Sequence, residues 1–116
     1  MASKAIAARL AATQILHGVL FDKRVMAEIL QGPHSPIERL GPADRARAQA
    51  LATGTLRYLG RIDAILDGLL DKRPQPRAMQ ALRLASYEML ADGGAAHGAV
   101  NAAVEIVRGS AKAGHL

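Results

Sequence analysis

Ala81-Leu82-Arg83-Leu84-Ala85-Ser86-Tyr87-Glu88-Met89-Leu90, followed after Gly93-Gly94 by His97-Gly98-Ala99-Val100-Asn101-Ala102-Ala103-Val104-Glu105-Ile106-Val107, decides the fold. Each block carries apolar residues at helical spacing, and the glycine pair is a natural break between them. The spacing predicts a helix over about 77–90 and a sixth over about 98–108, the latter with Val100, Ala103, Val104 and Val107 on one face.

Upstream the same period recurs. Pro74 and Pro76 close a helix whose stripe is Ile62, Ile65, Leu66, Leu69 and Leu70. Asp63, Asp67 and Asp71 lie four residues apart on its other side. A carboxylate row of that kind is suited to a cation or to acid–base work, but an amphipathic helix needs a solvated face anyway, and that plainer reading is preferred. Gly41-Pro42 precedes a long helix over 43–59, with Ala50, Leu51, Gly54 and Tyr58 as its apolar face and Gly60 as its end. Glycine in mid-helix costs about 1 kcal/mol against alanine, so Gly54 is expected where another helix crosses closely.

The N-terminal helix is expected over 4–20, on Ile6, Leu10, Thr13 or Leu16, and Leu20, with Ile15 and Val19 beside them. A short helix holds Val25, Met26, Ile29 and Leu30 and stops at Gly32-Pro33, and Ser35-Pro36-Ile37-Glu38 can start another turn, with Ser35 as its cap. No segment alternates as a strand does, so the fold class is all-α, one helical bundle over 1–116, with Leu66 and Leu82 in its core.

Composition narrows the function classes. The 116 residues fit one domain, and with three aromatics the interior must be built from aliphatic side chains and alanine. A net charge of +5 and a pI near 10.2 favour anionic partners, nucleic acid first. The absence of cysteine excludes disulfides and thiolate–metal sites. His17, His34, His97 and His115 are scattered without ligand spacing, so no metal site and no catalytic group is expected. No apolar run reaches the roughly 18–20 residues of a membrane span, and the N-terminus is not a secretory leader, leaving the cytoplasm as the default location.

The two C-terminal blocks resemble the last helices of a NusB-like RNA-binding domain. Asp44-Arg45-Ala46-Arg47-Ala48-Gln49-Ala50-Leu51-Ala52-Thr53-Gly54-Thr55-Leu56-Arg57-Tyr58-Leu59-Gly60-Arg61-Ile62-Asp63 resembles the variant that precedes the catalytic domain of ribosomal RNA small-subunit methyltransferase B (RsmB, Sun or Fmu). The resemblance implies a NusB-like bundle and RNA, ribosomal in particular, as partner. It also implies a fragment of an S-adenosylmethionine-dependent cytosine methyltransferase, with the family's last helix missing beyond Leu116. Ala95 and Ala102 depart from the family, which commonly has Pro and Glu there.

That methyltransferase reaction requires a cysteine nucleophile and a glycine-rich turn for the methyl donor, and this chain has neither, so no cofactor and no catalysis are expected of it. In the family the first helix opens with RNA-contacting arginines, which maps onto Lys4 and Arg9, both expected to be exposed. Arg45 and Arg47, Arg57 and Arg61, and Arg73 and Arg77 beside Lys72 are further candidates, too dispersed to share one face. Glu88 and Asn101, residue types the family also has, are expected to form a buried pair locking two helices. Two other readings stay open: a free-standing transcription antitermination factor that works with a ribosomal protein, and a helical protein-interaction module, as a homodimer for example.

Overall fold

The computed structural model describes residues 3–92, with side chains over 6–91. These form five α-helices and a closing turn of π-helix: α1 (Ser3–Leu20), α2 (Met26–Ile29), α3 (Pro42–Arg57), α4 (Leu59–Leu69), α5 (Pro76–Tyr87) and the π turn (Glu88–Asp92). No strand occurs among the described residues, and the all-α expectation holds. The sixth helix expected over 98–108, with Asn101, lies outside them.

α1 packs on α3 and α5 and carries α2 near its end. Its buried face is Ala8, Ala11, Ala12, Ile15 and Leu16, whereas Leu10 is 41% exposed. Of the expected stripe, Ile15 and Leu16 are buried and Leu20 packs against the core, and only Leu10 is corrected to the exposed side. Alanines let neighbouring backbones approach closely, so the face with the smaller side chains turns inward. α3 follows the same logic: Ala48, Leu51, Ala52, Gly54 and Thr55 are buried, while Ala50 and Tyr58, assigned to that face from sequence, are exposed. Thr55 is tolerated in the interior because its hydroxyl donates to the Leu51 carbonyl one turn back, at 2.7 Å.

Gly54 is a close crossing point, as its sequence context implied: a Cβ there would overlap the Tyr87 ring of α5. Gly18 serves α1 similarly, since a Cβ would lie 2.7 Å from Cδ1 of Ile29. Gly60 does not end α3. Tyr58 does, and Gly60 lies in the first turn of α4, where the Ile62 amide already bonds the Tyr58 carbonyl. The Ser35 segment forms turns rather than helix, although the Ser35 hydroxyl accepts from the Ile37 amide and Ile37 is buried.

The interior has two parts. The larger joins Ala11, Ala12, Ile15, Leu16, Ile29, Ile37, Leu51 and Leu84 among others, and the smaller is Ile62, Leu66 and Met79. Leu66 is buried as expected. Leu82, expected in the core, is only half-buried against the smaller one, while Leu84 is buried in the larger.

Candidate nucleic-acid interface

Two arginines of the chain are spent on building the fold. Arg9 is 6% exposed, and its Nε and Nη2 donate to both carboxylate oxygens of Glu88 at 2.9–3.1 Å. Glu88 is completely buried at the start of the π turn, so the pair ties α1 to the end of α5. Burying one charge without the other costs several kcal/mol, which fixes both side chains in place. Arg9 is therefore withdrawn from the RNA-contacting set, and the expectation that it is exposed is corrected. Glu88 is structural, as expected, but the partner seen for it is Arg9; Asn101 lies outside the described residues.

The second pair joins α5 to α4. Arg83 donates from Nε and Nη2 to the two oxygens of Asp63 at 2.8 and 3.0 Å, and from Nη1 to Gln80 Oε1 at 3.1 Å. Asp63 thus leaves the row of solvated carboxylates, while Asp67 and Asp71 remain exposed. Sequence reasoning missed both pairs, though a signal was present. Arg9 falls in register with Ala12 and Leu16, and Glu88 with Ala81, Leu84 and Ala85, so each charge interrupts a buried stripe at helical spacing.

The remaining candidates divide by place. Arg45 is a loop clamp: its Nε and Nη2 donate to the carbonyls of Leu40 and Glu38, which removes most of its capacity for phosphate. Arg47 reaches Glu88 at 3.3 Å but keeps 42% of its side chain exposed. Since Arg9 already neutralises Glu88, Arg47 brings an uncompensated positive charge to the surface. Lys4 lies in the first turn of α1, and its side chain is outside the described ones. Arg57 ends α3 and Arg61 opens α4, both exposed and without an ion-pair partner among the described residues. Arg73 and Arg77 flank the start of α5 and line two separate cavities of about 320 and 290 Å³ beside the end of α1.

In the 290 Å³ cavity Arg77 faces His17. Burial first, and then the Arg77 charge, hold the His17 imidazole below its ordinary range, with Asp22 opposing. The ring stacks on Phe21 at 4.8 Å, and its Nδ1 has no hydrogen-bond partner among the described residues. Among the described residues no group of three or more acids or histidines is placed to hold a metal, and no helix is long and apolar enough to cross a membrane.

The described residues form an all-α bundle in which Arg9 and Arg83 are buried against carboxylates while Arg47, Arg57, Arg61, Arg73 and Arg77 are exposed. The chain belongs to the NusB family, whose model matches residues 6–114. Domains of that family are non-catalytic and are tied to RNA binding and antitermination. No curated protein matches the chain, and no solved structure does.

Proposed function

We propose that this chain is the RNA-recognition domain of a ribosomal RNA cytosine methyltransferase and grips small-subunit ribosomal RNA without taking part in the chemistry. The observation that carries the RNA surface is the triad at Glu88. One carboxylate is shared by two guanidiniums, the inner one buried and the outer one, Arg47, presented to solvent near the first turns of α1. Arg57 and Arg61 form a second cationic point at the α3–α4 junction. Phosphate contacts of this type act additively and carry little sequence information, so specificity comes from elsewhere on the domain. The methyltransferase connection rests on the Asp44–Asp63 block.

A competition experiment tests the proposal. Unmethylated small-subunit ribosomal RNA fragments should displace a labelled probe about tenfold better than large-subunit fragments of equal length, within the span of discrimination that a few specific contacts supply. Equal competition removes the small-subunit assignment. The family match itself favours a second reading, an antitermination factor, which preferential binding of a short single-stranded leader RNA would support. In a complex with the proposed catalytic partner, the chain should raise affinity for RNA and transfer no methyl group by itself.

A further inference from the structure

The cationic cavity at the other end of α1 is not absorbed by that surface. His17 lies eight residues after Arg9, about 12 Å along the helix axis from the Glu88 triad. Its wall brings together Arg24 from the loop after α1, His34 from the turns before α3, and Arg77 from the first turn of α5, with Gln14 of α1 beside them. Asp22 is the one acid among the lining residues, so two guanidiniums face one carboxylate. Neither guanidinium is in an ion pair among the described residues.

The end of α1 fixes where Arg24 sits. Lys23 has φ +60°, in the left-handed region that costs a non-glycine residue about 1–2 kcal/mol. That conformation reverses the chain, and the Arg24 amide bonds back to the Gly18 carbonyl at 2.9 Å, placing Arg24 over the last turns of α1.

Beside the cavity stands an aromatic ring. Phe21 is 56% exposed, stacks on His17 of the cationic wall, and itself lines the adjoining 320 Å³ cavity with Arg73. Exposed aromatic rings flanked by cations are how proteins hold single strands: the ring takes a base and the cations take the backbone.

We propose that this end of the molecule is a nucleotide subsite for single-stranded RNA, with a backbone phosphate between Arg24 and Arg77 and a base laid against Phe21. It deepens the RNA-binding reading and rests on it for the source of the phosphate. The phosphate chemistry is shared with free inorganic phosphate, and Phe21 separates the two, because only a nucleotide uses the ring.

The test uses the whole chain with a fluorescent single-stranded hexauridylate and, separately, inorganic phosphate. Replacing Arg24→Ala together with Arg77→Ala should weaken hexauridylate binding about tenfold or more and flatten the slope of log affinity against log salt by about 1.4, for two contacts at roughly 0.7 each. Arg24→Lys with Arg77→Lys should restore the slope. Phe21→Ala should weaken binding about tenfold with the slope unchanged, since stacking is not ionic. All these positions are exposed, and circular dichroism checks that the helices persist.

Full affinity in the Arg24/Arg77 double variant overturns the subsite, and loss in Arg47→Ala alongside it would leave the RNA-binding reading standing. Inorganic phosphate shifting the amide resonances of Arg24 and Arg77, with hexauridylate indifferent to Phe21→Ala, marks a free-phosphate pocket and overturns the nucleotide assignment. No binding of any RNA at low salt overturns the subsite and the RNA-binding reading together.

Discussion

The two cores use the same device and seal it to different degrees. In the larger, Arg9 and Glu88 are enclosed by α1, α3 and α5, and the carboxylate sees no solvent. In the smaller, Arg83 is buried but the Asp63 side chain is 30% exposed, and α4 leaves Ile65 and Leu69 39% and 75% exposed. A forked guanidinium–carboxylate pair has the same geometry in both places, but water can replace a lost partner only in the second. The difference assigns the work: the α1–α3–α5 core fixes the domain, and α4 is held to it by a thinner contact.

Removing the acid from each pair tests this contrast most strongly. Glu88→Ala leaves Arg9 charged in the interior and should cost about 3–5 kcal/mol in a denaturant melt. Arg9→Met with Glu88→Leu should recover most of that loss, because apolar side chains of similar volume remove both desolvated charges. Asp63→Ala should cost less, about 1–3 kcal/mol, since Gln80 still accepts from Arg83 and water reaches the vacated position. Equal losses in the two single variants would erase the distinction between the cores.

Tyr87 connects the two regions, packing against both cores and stacking on Tyr58 at 6.0 Å. Gly54→Ala pushes a methyl group into that ring. Overpacking costs about 1–3 kcal/mol and the gain in helix propensity returns at most about 1, so a net loss of roughly 1–2 kcal/mol is expected. A stability gain in this variant would mean that the ring swings away freely and does not tie the cores together.

The smallest effect is the pH dependence at the edge of the larger core. The His17 imidazole titrates lower in the folded chain than the ordinary 6.5. As pH falls through that value the unfolded chain takes up a proton that the folded chain resists, so stability declines toward acid and is full above it. His17→Gln should therefore show a shallower loss between about pH 7.5 and 5.5 than the natural sequence, a window that follows from the ordinary histidine value. Superimposable profiles would contradict the burial of the ring.

Much of the fold is legible in the residues. Glycine and proline positions mark the breaks, and helical periodicity places all five helices to within a few residues. Gly54 announces its crossing. Which face turns inward is harder to read in α1 and α3, because much of the buried surface there is alanine, and hydrophobicity alone favours the larger Leu10, which is exposed. The site is less legible for a related reason. A charge reads as surface from its side-chain type alone, and only the pairing of Arg9 with Glu88, 79 residues away, shows that it is interior. The cavity at His17 gathers residues from four separate segments, so no local pattern carries it.

The salt dependence of RNA binding tests most directly the central claim, that buried arginines build this domain and exposed ones bind RNA. With about 3–5 phosphate contacts to a single-stranded ribosomal RNA fragment, the slope of log affinity against log salt should be roughly −2 to −3.5. Arg47→Ala should flatten it by about 0.7, one contact, while Arg9→Met with Glu88→Leu leaves it unchanged. A slope near zero, or a flattening in the Arg9/Glu88 variant and none in Arg47→Ala, would contradict that division of labour.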